Sequence, residues 1–153
     1  RVIYDPREAH TVSARKLITR QLGLWHDAAA TGNGHSYFSR MSPDAVFLGT
    51  DRTERWPLPE FEAFARPYFA DDEAWTYRQV ETHIAFHPEL GPADEPTVGW
   101  FDEVLWNDKY GYCRGTGVAV YEDRAWKIAH YSLTFLVPNE AAEDVVEIIR
   151  GSE

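Results

Sequence analysis

An α+β fold, helices first and an antiparallel sheet after them, is predicted by three observations. Apolar residues recur at spacings of three and four as far as Phe69; from Trp75 the period changes to two; and the four period-two runs that follow are consecutive and joined by short turns. Segregated in this way, the helices are expected to pack on one face of a curved sheet. The 153 residues are expected to form one domain, because a single core serves chains of up to roughly 200 residues.

Each element has its own signal. Asp5-Pro6-Arg7-Glu8 is a helix start, with Asp5 as N-cap, Pro6 at the first helical position and Glu8 placed to close a capping box. The helix carries one apolar stripe, Ala14, Leu17, Ile18, Leu22, Trp25, Ala28 and Ala29, until Gly32 and Gly34 stop it. A helical turn is expected over 36–41, a chain reversal at Ser42-Pro43-Asp44, and a short buried strand over 45–50. Pro59 opens a second amphipathic helix with Phe61, Phe64, Ala65, Tyr68 and Phe69 on one side, and Pro67 should kink or end it. Strands are expected over 75–86, 97–106, 110–121 and 126–137, with turns at 87–96, Asn107-Asp108-Lys109 and Asp123-Arg124-Ala125. A final helix begins at Asn139, after Pro138, and presents Val145, Val146, Ile148 and Ile149.

Composition narrows the partners. Hydrophobic residues make up 44% of the chain and aromatics 14%, enough apolar material for an ordered core. Lys and Arg number 15 against 25 Asp and Glu, a formal charge of −10 with no basic cluster, so no nucleic-acid partner is expected. No apolar run approaches the roughly 20 residues of a membrane helix, and no membrane partner is expected either. The single cysteine, Cys113, fits a reducing cytoplasm, the expected location; because Arg1 is not an initiator Met, an upstream export signal stays open. Cys113, beside Gly111 and Gly115, reads as a small buried residue rather than a nucleophile. No cofactor or metal is expected. His83 and His87 would stand roughly 13 Å apart on a strand, too far for one ion, and Gly115-Thr116-Gly117 lies inside a strand, where glycines let a helix approach closely.

The order of elements, together with Leu24-Trp25-His26-Asp27-Ala28-Ala29-Ala30, Asp44-Ala45-Val46-Phe47-Leu48-Gly49-Thr50-Asp51, Trp100-Phe101-Asp102-Glu103, Arg114-Gly115-Thr116-Gly117 and Trp126-Lys127-Ile128-Ala129, resembles the SnoaL-like branch of the nuclear transport factor 2-like superfamily. The segment Pro59-Glu60-Phe61-Glu62-Ala63-Phe64 and the terminal hairpin are also similar to the association domain of calcium/calmodulin-dependent protein kinase. The resemblance implies a cone-shaped fold, in which a strongly bent, mainly antiparallel sheet wraps its helices, leaves a pocket at the open end and forms a homodimer through its outer face. It does not imply one activity, since relatives include polyketide cyclases, dehydratases, ketosteroid isomerase and non-catalytic assembly modules.

Candidate site residues follow from strand register. With Asn107-Asp108-Lys109 as the loop, Trp106 faces Tyr110, Asp102 faces Arg114 and Trp100 faces Thr116. On the pocket side, walled by Trp100 and Trp106, Asp102 would be a general base held ionised by Arg114, or Arg114 would bind an anionic ligand; on the outer face the two would be a solvated pair. The kinase association domain resemblance implies the pocket side. His130 is the proton donor if the turn at 123–125 has three residues, which puts Val118 opposite it; a two-residue turn puts Gly117 there and brings Tyr131 to that side instead. Trp56 is a lid over the pocket or a core residue, Asp51-x-x-Glu54 reads as a capping box before catalysis, and His26 reads as core edge before ligand contact. Glu62 corresponds to a polar pocket position of the association domain. The expected function is a pocket protein for a small, largely apolar molecule, acting as a cofactor-free isomerase, cyclase or dehydratase through Asp102, Arg114 and His130. The alternative is a non-catalytic oligomerisation or ligand-binding module.

Overall fold

The computed structural model describes residues 6–70 and 74–152, with side chains from residue 11 onward. Helix α1 runs Pro6–Ala30; the proposed cap falls on Asp5, outside the described residues, and on the Glu8 side chain, which is not described either. Its inward stripe is Ala14, Ile18, Leu22, Trp25, His26 and Ala29, all buried, whereas Leu17 is exposed. Gly32 ends the helix region with φ 68°, a conformation that costs a glycine nothing. Asn33 then caps α2, Gly34–Ser39, by accepting from the Ser36 N–H. This helix starts two residues earlier than the sequence suggests because the cap is Asn33.

Strand β1 occupies Met41–Leu48 and absorbs the expected turn at Pro43 as an irregularity, since its register shifts between Met41 and Val46. A short strand without a sequence signal, β2 (Arg55–Pro57), folds back on it. Helix α3 spans Leu58–Phe69 and buries Phe61 and Ala65; Pro67 sits inside it and the helix ends two residues later. Strands β3 (Arg78–Phe86), β4 (Val98–Asn107), β5 (Gly111–Glu122) and β6 (Ala125–Phe135) fall close to their expected places. The chain ends in a 3-10 turn, Asn139–Ala141, and α4, Ala142–Gly151, none of whose residues is buried. Among the described residues no helix is long and apolar enough to cross a membrane.

The sheet is mixed and open, in the order β2-β1-β6-β5-β4-β3. Every neighbouring pair is antiparallel except β1 and β6, which run parallel. The parallel pair arises because β1 precedes the long excursion through α3 and returns beside the last strand rather than beside its successor. The core lies between the inner sheet face and α1 to α3, and its largest members, Trp25, Tyr37, Tyr131 and Phe61, are almost entirely removed from water. Each such side chain contributes about 1.5–3 kcal/mol of transfer free energy.

Two registers differ from expectation. The β4–β5 loop is Asp108-Lys109-Tyr110, so Asn107 faces Gly111, Trp106 faces Tyr112, Asp102 faces Thr116 and Arg114 faces Val104. Asn107 explains the shift: its Oδ1 accepts from the N–H groups of Lys109 and Tyr110, closing the loop one residue later, and Gly111 takes φ 74°. At the β5–β6 turn, Asp123 and Arg124 both adopt positive φ, the mark of a two-residue turn matched to strand twist. Even so, Val118 lies opposite His130, because a bulge beside Ala119 inserts one residue.

Candidate functional site

The phase of β4 decides what faces inward. Phe101, Glu103 and Leu105 are buried, while Trp100 and Asp102 are exposed. On β5 the matching inward phase is Cys113, Gly115, Gly117 and Ala119, a row of small residues that leaves room above the sheet. Tyr131 from β6 fills part of that room. At Gly115 an added Cβ would stand 1.9 Å from the Tyr131 hydroxyl oxygen, and at Gly117 it would stand 2.2 Å from the His130 carbonyl. The glycines therefore admit a tyrosine side chain and a neighbouring strand, not the helix expected from their spacing.

Glu103 is the centre of a buried polar cluster. Tyr131 donates its hydroxyl to Oε2 at 2.7 Å, His26 Nε2 lies 2.8 Å from the same oxygen, and Gln79 donates to Oε1 at 2.9 Å. Four elements thus meet at one carboxylate: α1, β3, β4 and β6. Burial pushes the Glu103 carboxyl up, but the hydrogen bond and charge of His26, with the bonds from Tyr131 and Gln79, more than reverse it and hold the group below the usual carboxylate range. With Glu103 ionised, the His26 proton sits on Nε2. The Tyr131 hydroxyl is pushed well up by burial and by the adjacent carboxylate, so it stays a neutral donor.

Of this cluster His26 and Tyr131 reach the wall of an inner void of about 20 Å³, which Trp25 and Tyr37 also line. The Trp25 indole N–H is buried and has no hydrogen-bond partner among the described residues. Tyr77, whose hydroxyl burial also pushes up, lines both this void and a larger cleft in front of it, as do Phe47, Trp75 and Leu133. The cleft holds about 260 Å³ between β1, the loop after it, β2, α3, the segment 74–77, the β4–β5 loop and the end of β6, and most of its wall is aromatic.

The residues singled out from sequence separate into two groups. Trp56 lines the cleft and Tyr131 reaches the inner void. Glu62 is half-buried on α3 and is not among the residues lining the cleft. Asp102, Arg114, His130 and Trp100 stand exposed on the outer sheet face, so their expected position in the pocket is corrected. The reason is strand parity: Phe101 and Leu105 are needed in the core, and they carry Glu103 inward and Asp102 outward. Asp51 and Glu54 do form a local clasp, but within the loop rather than at a helix: Glu54 Oε1 accepts from the Asp51 N–H at 2.8 Å, and Asp51 Oδ1 accepts from Thr53. Those Thr53 bonds lower the Asp51 carboxyl. Glu103, Gln79 and Tyr77 were not selected from sequence; the row of small residues on β5 was the available sign that the opposite phase of β4 faces inward. Cys113 is fully buried, as its setting suggested.

An open six-stranded mixed sheet laid over leading helices is the nuclear transport factor 2-like fold. The chain belongs to the SnoaL-like domain family, whose match spans residues 18–138. Among curated proteins none matches it. Its fold is similar to that of a provisionally assigned scytalone dehydratase from Novosphingobium aromaticivorans, with a TM-score of 0.68 at 10% identity over 85% of this chain and 89% of that one. A nuclear transport factor 2-like protein of unknown function from Pseudomonas putida superposes with a TM-score of 0.65 at 10% identity, covering 84% and 91%. A provisionally assigned calcium/calmodulin-dependent protein kinase II association domain from Xanthomonas campestris gives 0.56 at 18% identity, covering 80% and 87%. At these identities the likeness is one of fold.

Proposed function

We propose that this chain binds a small, largely apolar molecule in the aromatic cleft and moves a proton on it through His26, as a cofactor-free isomerase, cyclase or dehydratase. The observation that carries the reading is the buried Glu103 carboxylate, which holds the His26 ring at 2.8 Å in the wall of the void behind the cleft. With Glu103 accepting from Nε2–H, the neutral His26 ring keeps its lone pair on Nδ1, so the pair is a base with a fixed tautomer. The Trp25 N–H, without a partner among the described residues, is a donor for an oxygen that gains negative charge, the second element such chemistry needs. In this reading the base is His26 in place of Asp102, its charged partner Glu103 in place of Arg114, and the donor Trp25 in place of His130.

Deuterium exchange at the α-carbons of 2-tetralone, a small enolisable ketone, tests the reading. Exchange over buffer is expected, falling by about 100-fold in His26→Gln, the typical reach of one general base. Binding of the ketone without exchange would retire catalysis and leave a binding module; absence of binding would retire both.

The outer sheet face supports self-association. Trp100 is 46% exposed, Tyr112 53% and Val80 57%, apolar surface that a monomer leaves in water. Sedimentation at micromolar concentration is expected to show a dimer, and Trp100→Lys a monomer; a monomeric wild type would overturn this part.

A further inference from the structure

The cleft also carries a charge signature. Its polar wall is Thr50 and Glu54 with Tyr68, Tyr77 and Tyr110, and among the described residues no Lys, Arg or His lines it. Arg114, the cation that would have favoured an anionic ligand, is on the other side of the sheet. Glu54 is held in place: Oε1 accepts the Asp51 N–H, and the carboxylate lies against Gly49 so closely that a Cβ there would meet it at 2.9 Å. Among the described residues no ion pair engages it.

The aromatic wall is arranged as a circuit around the same space. Trp56 stacks on Phe64 at 4.4 Å between centroids, Phe64 meets Tyr68 at 5.6 Å, Tyr68 meets Trp75 at 6.3 Å, Trp75 meets Phe61 at 6.3 Å, and Phe61 returns to Trp56 at 5.7 Å. Phe64 and Tyr68 keep 41% and 49% of their surface in water, so part of each ring is open to a ligand. Ring faces are negative, and a desolvated cation within about 6 Å of them is attracted. Tyr110, another ring of the wall, makes such a contact with Lys109, which does not itself line the cleft and whose ammonium lies 5.1 Å from the ring centroid. The formal charge of −10 adds a field that draws cations and repels anions.

We infer that the cleft selects a small organic cation, an alkyl- or arylammonium whose charged head sits among Trp56, Phe64 and Tyr68 beside the Glu54 carboxylate. This rests on the binding half of the proposal above and assigns its ligand class. Apolar walls alone would accept a neutral molecule equally well; the placed carboxylate and the absence of basic lining make the difference.

Three probes of similar shape separate the possibilities: phenyltrimethylammonium, its neutral isostere tert-butylbenzene, and the anion benzenesulfonate, each titrated against wild type by tryptophan fluorescence. The cation is expected to bind about tenfold tighter than the isostere, with benzenesulfonate weakest. Glu54→Gln keeps the acceptor for Asp51 and is expected to cut the cation's affinity by roughly three- to tenfold while leaving tert-butylbenzene within about twofold. A neutral probe equal to the cation, or an anion binding best, would overturn the cation assignment and leave the cleft as a binding site. Binding of none of the three would overturn both readings. An undiminished cation preference in Glu54→Gln would overturn the role of Glu54, and the wild-type order decides the matter even if that variant fails to fold.

Discussion

Glu103→Ala is expected to lose about 3–5 kcal/mol of unfolding free energy, the range for breaking a buried charged network by removing one partner. The loss has three sources: His26, Tyr131 and Gln79 all give up the acceptor they share, at 2.8, 2.7 and 2.9 Å. Two of those donors are themselves buried, so water does not replace the carboxylate cheaply. For a chain of this length the shift in melting temperature is roughly 10 °C. Glu103→Gln keeps the volume and one acceptor oxygen, and is expected to cost about 1–3 kcal/mol. Equal denaturation midpoints for wild type and Glu103→Ala would show that the cluster does not tie α1 to the sheet.

The same carboxylate makes stability depend on pH, with a definite sign. Its folded-state value is held below the ordinary range, so the folded protein binds fewer protons than the unfolded chain around that range. The stabilisation is therefore complete above the unfolded value of about 4.3 and is lost as pH falls through the folded value. Urea titrations of wild type and Glu103→Gln should give curves that differ most at pH 6–7 and converge in acid. Curves that stay parallel down to low pH would mean that Glu103 is not the group responsible.

How much of this was legible in the sequence depends on the level asked. Apart from β2 and the start of β1, element types and order were readable because the apolar period and the turn residues agree, and agreement across levels is what makes a sequence specify a fold. The site was not readable, for a reason visible in β4. Its two phases, Trp100-Asp102-Val104-Trp106 and Phe101-Glu103-Leu105, each contain one acid among large apolar residues, so neither announces the core. The tryptophans pointed one way and lie on the outer face; the inner acid is tolerated only because three donors from three other elements converge on it, a condition no local window contains. His26 was likewise legible as a buried helix position, but its partner lies 77 residues away. The β5–β6 register shows a further limit. Counting from the two-residue turn predicts Gly117 opposite His130, and the bulge beside Ala119 restores Val118 to that place.

Gly115→Ala tests the packing on which the cluster depends, and it is expected to cost about 3 kcal/mol, combining overpacking with the loss of a charged hydrogen bond. The added Cβ would stand 1.9 Å from the Tyr131 hydroxyl oxygen, 2.5 Å from its Cζ and 3.0 Å from Glu103 Oε2. Tyr131 has nowhere to retreat, since Trp25 meets its ring edge-on at 4.7 Å, and Phe47 and Phe101 lie at 5.6 and 6.0 Å. Gly111→Ala is a useful contrast. There the space is open, with Trp106 at 3.9 Å, and the cost comes from φ 74° alone, about 1 kcal/mol. A double-mutant cycle separates the mechanisms. Tyr131→Phe removes the atom nearest the new methyl, so in the Gly115→Ala background it should cost far less than in wild type, or stabilise, giving a coupling of about 1–2 kcal/mol. Gly111→Ala and Tyr131→Phe should add within about 0.5 kcal/mol, because they share no partner. Additivity in the first pair would mean that Tyr131 does not lie over Gly115, and the row of small residues on β5 would need another explanation.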